Sequence, residues 1–242
     1  MKFSVYLHTD VGTRSCNEDC AGYRVKPLRG SVFAVADGLG GHDAGEVASR
    51  CACEFIIDAF TRTPTLKAGE IQAIFKRINE AVMSKQGGET GFYNMKTTLA
   101  AMLYRRNRVS FAHVGDSRVY LFRKNHVIFQ TLDHSIPQLA VLQGRIAPSE
   151  IRGHIDRNQL TRALGSPVSG ASVSGKPLRV RRGDAVLLCT DGFWENVREE
   201  CMEDTLSISK TPEQWVKLML HQHDRASGER RDNNTAVAVF MR

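Results

Sequence analysis

The strongest pattern along the chain is a pair of short, almost wholly apolar runs set among longer segments of helical period. Ser31 to Ala36, bounded by Gly30 and Gly38, and Ala185 to Thr190, which follows an Arg182-Gly183-Asp184 turn, are the two runs. Their length and flanking turn residues predict strands covered on both faces. From Ala44 to Phe60 the apolar positions recur as Val47, Cys51, Phe55 and as Ala48, Ala52, Ile56. From Lys67 to Lys85 they recur as Ile71, Ile74, Phe75, Ile78 and Val82. Both spacings predict amphipathic helices.

Strand patterns fill most of the remainder. One runs to Leu7, another spans Ala21 to Val25, and Thr97 to Tyr104, Val109 to Val114, Arg118 to Phe122 and Val127 to Leu132 read as an antiparallel meander. From Asp133 to about Gly170 the pattern is irregular, with short helical pieces at Pro137 to Leu142 and Pro148 to Ile151, so residues 133–170 are expected to form a mobile flap. A strand is expected from Ser172 to Leu178. Thr211-Pro-Glu-Gln214 is a capping box with proline at the first helical position, opening a helix that turns Trp215, Leu218 and Met219 inward. Thr235 to Met241 is a last strand. No linker, repeat or low-complexity tract divides the chain, which predicts a single catalytic domain over 1–242.

Composition narrows the class. With 42% hydrophobic and 24% charged residues the chain is of ordinary globular type. No stretch approaches the ~18 consecutive apolar residues of a membrane span. The N-terminal Met-Lys-Phe-Ser-Val-Tyr-Leu has neither the apolar core nor the cleavage site of a signal peptide, so a cytoplasmic protein is expected. The six cysteines form no Cys-x-x-Cys and none has an arginine six positions later. They read as free structural thiols, and the Cys-x5-Arg loop of cysteine-dependent phosphatases is excluded. The net charge of +7 includes the clusters Arg105, Arg106, Arg108 and Arg179, Arg181, Arg182. Without interleaved aromatics or a recognition motif these read as a solvated surface, one that favours acidic or phosphorylated partners over nucleic acid.

The chemistry lies at the ends of the apolar runs. Ser31 to Ala36 ends on Asp37, followed by Gly38, Gly40 and Gly41, and Ala185 to Thr190 ends on Asp191-Gly192. A lone Asp-Gly is usually a turn. Here it recurs, with Asp116 between two strands, Asp232 just before another, and Glu18-Asp19 beside Arg14 in an N-terminal turn. Gathered together, these acids repel, and divalent cations are the simplest compensation. An all-oxygen set without a histidine cluster favours Mg²⁺ or Mn²⁺ over zinc. Two such ions roughly 3.5–4 Å apart can share a carboxylate, activate a bridging water and direct it in line at phosphorus. Two other glycine-rich stretches fail as nucleotide sites. Gly170 to Lys176 resembles a P-loop, but Pro177 stands where the magnesium-binding hydroxyl belongs, and Gly38-x-Gly40 lacks the third glycine of a dinucleotide fold.

The segments Arg14-x-x-Asn17-Glu18-Asp19, Val35-Ala-Asp37-Gly38-Leu-Gly-Gly-His42-x-Ala-Gly45-Glu46, Thr97-Thr98-Leu, Gly115-Asp116-Ser117-Arg118, Asp133-His134-Ser135, Leu160-Thr-Arg162-Ala163-Leu164-Gly165, Asp191-Gly192 and Asp232-Asn233 occur in that order. In this the chain resembles the metal-dependent serine/threonine protein phosphatases of type 2C, the PPM family, in their single-domain bacterial branch, from about Asp10 to Phe240. The resemblance implies an α+β fold, two packed antiparallel β-sheets flanked by helices on both faces. It implies hydrolysis of phosphoserine and phosphothreonine in phosphoprotein substrates by direct attack of a water bridging two divalent metals, often opposing a cognate Ser/Thr kinase. By motif, Asp37 would bridge two Mn²⁺ or Mg²⁺ ions and Gly38 would offer its carbonyl oxygen to one. Asp191 and Asp232 would complete the shell of the other, and Asp116 with Asp191 would hold a third, weaker ion. Glu18 and Asp19 would serve the ion on the side of Gly38, directly or through water. Arg14 would grip the substrate phosphate with its forked donors. Leu39 stands where animal relatives place a histidine regarded as a general acid, leaving His42 or a water as the alternatives.

Overall fold

The two apolar runs become interior strands of two different sheets in the computed structural model, which describes residues 1–26, 28–40, 44–87, 94–226 and 231–242, with the backbone alone at 224–226. Strands β1 (Phe3–Asp10), β2 (Asp19–Arg24) and β3 (Ser31–Leu39) lead into helices α1 (Ala44–Arg62) and α2 (Ala68–Met83). Then come β4 (Lys96–Thr97), β5 (Leu99–Arg105), β6 (Arg108–Val114), β7 (Arg118–Arg123), β8 (His126–Gln130) and α3 (Ile136–Leu142). A 3-10 turn at Pro148–Gly153 precedes β9 (Ser172–Val173), β10 (Leu178–Arg179) and β11 (Ala185–Cys189). The chain ends with α4 (Asp191–Trp194), α5 (Glu199–Ile208), α6 (Pro212–Ala226) and β12 (Asn234–Met241). Among the described residues one sheet has the order β1-β12-β11-β7-β8 and the other β10-β6-β5-β3-β2, with β4 and β9 paired to β3 and β6.

The period of two explains why both faces of β3 are apolar. Val32, Ala34 and Ala36 pack with Ala48, Ala52, Ile56, Ile71, Phe75 and Ile78 beneath α1 and α2. Phe33 and Val35 face the other sheet, meeting Val186 and Leu188 of β11 and Val237 and Val239 of β12. The opposite faces of those strands, with Leu187, Ala236 and Ala238, pack on Phe193, Trp194, Met202, Trp215, Val216 and Met219 from α4 to α6. Helices, sheet, sheet and helices therefore form four layers, as expected. Complete burial of each large apolar side chain contributes about 1.5–3 kcal/mol, so the layers are held mainly by these three clusters.

Three local expectations are corrected. The predicted meander is two hairpins in different sheets: β5 pairs with β6, and β7 with β8, but β6 and β7 do not pair. Gly115, at φ +93°, carries the chain across, and a Cβ there would lie 2.5 Å from the Thr98 side chain. The strand expected over Ser172 to Leu178 is reduced to β9 and β10, both on β6. Pro177 has no N–H to donate to a ladder. In α6 the buried neighbour of Trp215 is Val216, with Leu218 only half-buried. Helix α5 went unanticipated, although Met202 and Leu206 at a spacing of four form its buried stripe. All six cysteines are free thiols.

Candidate active site

The layering brings the acids to one edge of the inter-sheet seam. There β2 and β12 begin, β3 and β11 end, and the chain crosses from β6 to β7. Asp37 continues the side of β3 that faces the other sheet, and antiparallel register sets Asp19 directly opposite it. Its backbone is tied on both sides: the N–H donates to Thr98 Oγ1 at 2.8 Å, and the carbonyl accepts from the Thr98 N–H and the Thr97 hydroxyl at 2.9 and 2.8 Å. The strand end is thus a rigid mount for one carboxylate.

A cavity of about 440 Å³ opens at this edge, and Arg14, Glu18, Asp37, Gly38, Asp116, Asp191 and Asp232 all line it. Asp19 stands behind the wall. Its Oδ2 accepts from Thr190 Oγ1 at 2.8 Å, whereas its buried Oδ1 has no hydrogen-bond partner. Glu18 is locked by its main chain: its N–H donates to Asn233 Oδ1 at 2.8 Å, and its carbonyl accepts from the Gly38 N–H at 3.1 Å and Ser49 Oγ at 2.6 Å. A Cβ on Gly38 would lie 2.2 Å from the Gly45 carbonyl oxygen, so only glycine lets β3 approach the start of α1 so closely. Gly192 is restricted likewise, its place for a Cβ lying 2.1 Å from the Asn233 carbonyl oxygen.

Electrostatics single out the same group. Burial, and then repulsion from Asp191, Asp19 and Asp116, hold Asp37 well above the usual carboxylate range. Burial also raises Asp116 and Asp191, with Asp191 the leading repulsive neighbour of Asp116. Asp19 is pushed up to about 7, chiefly by burial, against the favourable pull of the neighbouring Thr235 and Thr190 hydroxyls. Asp232 is more open, and Arg14 Nη2 donates to its Oδ2 at 2.6 Å. One guanidinium cannot neutralise the whole ring. An orphaned buried oxygen, mutual repulsion and oxygen-only donors together fit divalent hard cations. Among the described residues no three acidic, histidine or cysteine side chains close into a cage of their own. Carboxylates spread around a cavity instead suit ions that retain water and take backbone oxygen.

Trp194 escaped the sequence reading, and Arg118, Asp133 and His134 stood in the quoted motifs with no role assigned to them. Trp194 Nε1 donates to the Asp116 carbonyl at 3.0 Å. The Arg118 guanidinium lies 3.4 Å from the centre of the Trp194 ring and donates to both carboxylate oxygens of Asp133, at 2.8 and 2.7 Å. His134 accepts the Gly115 N–H through Nδ1 at 3.2 Å and stacks on His113 with ring centres 4.6 Å apart. The crossing that presents Asp116 is therefore braced on two sides. Asn158 and Leu160 add the 133–170 segment to the cavity wall. His42 lies outside the described residues.

Comparison with known proteins points the same way. The family model described as protein phosphatase 2C matches residues 8–233. A serine/threonine phosphatase, stp, of Listeria monocytogenes is 34% identical over 241 residues, covering 96% of this chain and 94% of that one. The catalytic domain of the serine/threonine protein phosphatase PstP, solved with two manganese ions, is 30% identical with a TM-score of 0.81, covering 98% of this chain and 97% of that one. The Streptococcus agalactiae serine/threonine phosphatase, at 23% identity, has the same fold with a TM-score of 0.87 over the whole of both chains. Motif order, layered sheets and a carboxylate-ringed cavity converge with these matches, and the chain belongs to the protein phosphatase 2C family of metal-dependent serine/threonine phosphatases.

Proposed function

We propose that the chain removes phosphate from phosphoserine and phosphothreonine in proteins at the cavity around Asp37. The ring of acids lining the cavity, backed by a buried Asp19 oxygen with no hydrogen-bond partner, is the observation that carries this reading. Asp37, Asp191, Asp232 and the Gly38 carbonyl would hold two Mn²⁺ or Mg²⁺ ions, with Glu18 and Asp19 on the side of Gly38 and Asp116 with Asp191 offering a third position. Such ions supply positive charge for the phosphate oxygens and an activated water for in-line attack. Arg14 binds and orients the phosphate with two parallel N–H donors. Thr97 and Thr98 hold the Asp37 main chain in place during turnover. The 133–170 segment acts as a flap over the cavity, to which it contributes Asn158 and Leu160. A cognate Ser/Thr kinase supplies the substrate, and the reaction runs in the cytoplasm. No described helix is long and apolar enough to cross a membrane.

Hydrolysis of p-nitrophenyl phosphate and a phosphothreonine peptide, measured with Mn²⁺, with chelator, and for Asp37→Asn, tests the site. Activity is expected to require the metal and to fall by at least about 100-fold in the variant, on the order of 3 kcal/mol of transition-state stabilisation. Activity indifferent to chelator and substitution would overturn the two-metal reading. Cleavage of phosphodiesters with no action on phosphopeptides would replace it with a nuclease-type reading.

A further inference from the structure

A second feature lies at the far end of β6 from the carboxylates. The β5–β6 register sets Arg105 directly opposite Arg108, and the β10–β6 register sets Arg179 opposite Arg108 on its other side. Directly opposed residues share a face of the sheet, so three guanidinium groups stand in a row across three strands. Like charges in that relation destabilise a sheet. Among the described residues none of the three is ion-paired, and neither are Arg106 and Lys176 beside them. Lys67 alone has a carboxylate, Glu70, at 3.0 Å.

Two members of the row, Arg105 and Arg108, line a surface cavity of about 450 Å³ with Lys67, Arg106 and Lys176, around a floor that includes Leu66 and Pro177. The rim is concave, cationic and exposed. No aromatic side chain lines it, so bases have no stacking platform. None of the large exposed apolar side chains lies there, so nothing anchors it in a lipid surface. A small apolar floor under five cations fits the carboxylates and short stems of an acidic peptide.

We propose that the end of the β5–β6 hairpin, with Lys67 and Lys176, is a docking site for an acidic segment of a phosphoprotein substrate. The substrate part of this rests on the function proposed above. The seven residues of β6 set about 20 Å between Arg108 of the row and Val114, two residues short of Asp116. An extended substrate therefore needs on the order of six residues between its phosphorylated residue and its acidic segment.

The test uses the full chain and two probes. A fluorescein-labelled, unphosphorylated twelve-residue peptide of Glu and Asp reports binding by anisotropy. A phosphothreonine peptide with a Glu-rich tail, compared with a Gln-rich counterpart, reports kcat/KM. Arg105→Glu/Arg106→Glu is compared with Arg181→Glu/Arg182→Glu, which changes net charge equally at another exposed turn. The hairpin variant is expected to bind the acidic peptide at least about tenfold more weakly, equivalent to ~1.4 kcal/mol, and to lose the preference for the acidic tail. The control pair should shift binding by less than about twofold. Both should hydrolyse p-nitrophenyl phosphate at the unsubstituted rate. Should the charge reversal fail to fold, Arg105→Gln/Arg106→Asn serves, since asparagine tolerates the φ of +50° at position 106. Equal losses in both variants, no saturable peptide binding at low salt, or displacement by duplex DNA or anionic vesicles at lower concentration than by the peptide itself would overturn the proposal. A wild-type protein that binds the peptide but hydrolyses no phosphomonoester would sink the catalytic reading and leave acidic-peptide docking standing.

Discussion

Arg14 is held by one carboxylate oxygen of Asp232, and both side chains are well exposed. An exposed pair of this kind contributes ~0–1 kcal/mol, so Arg14 changes partner at little cost once a cation claims Asp232. Arg14→Ala is therefore expected to raise KM for a phosphothreonine peptide and lower kcat/KM by roughly 10–100-fold. Calorimetric Mn²⁺ affinity should stay within about twofold. An unchanged KM, or a metal affinity that collapses with the arginine, would remove Arg14 from phosphate capture. That Arg14, Asp37 and Asp191 would share one cavity was legible because each stands at the polar edge of an apolar strand or in an acid-rich turn. The division between Glu18 and Asp19 was not. It depends on Thr190 and Asn233, which lie 171 and 215 positions away from their partners. Nothing in a local pattern reports such contacts.

At the scale of elements, the helices α1 and α2 and the strands β3, β11 and β12 were readable because their apolar period is unbroken. The crossing between β6 and β7 was read as a plain hairpin link, since Gly-Asp-Ser looks like any turn. What decides it is a left-handed glycine pressed on Thr98, whose hydroxyl also bonds Ser117 Oγ at 2.7 Å. The same turn presents Asp116 to the cavity, so topology and chemistry depend on one residue. Gly115→Ala combines a disfavoured φ with a contact that must open by several tenths of an ångström. It is expected to cost about 2–4 kcal/mol in urea unfolding and to lower activity at limiting Mn²⁺ more than at saturating Mn²⁺. Unchanged stability would show that the crossing tolerates a side chain. Helix α5 illustrates the opposite case: its stripe is only two residues deep, too weak a period to stand out among acids.

For the whole molecule, the ring of acids makes stability depend on pH and on metal together. Asp19 has its pKa raised in the fold, to about 7, above the value near 3.8 of the unfolded chain. The folded state therefore binds more protons between those values. Its contribution is fully present below about pH 3.8 and is lost as pH rises through about 7. His134 works in the other direction. Burial lowers its pKa to about 3, so the neutral ring that accepts from Gly115 favours folding above pH 6.5 and that contribution is lost as pH falls towards 3. Opposed slopes in one window hide each other in the wild-type protein, and a difference measurement separates them. In chelator, Asp19→Asn should match wild type in unfolding free energy near pH 3.5 and exceed it increasingly up to pH 8, by roughly 4 kcal/mol at most. With saturating Mn²⁺ the order should reverse, because bound cations stabilise the ionised wild-type site by mass action and the variant has lost one carboxylate. A variant that remains less stable than wild type in chelator at pH 8 would mean that the Asp19 carboxylate serves the fold itself, and its unpartnered oxygen would no longer argue for a cation.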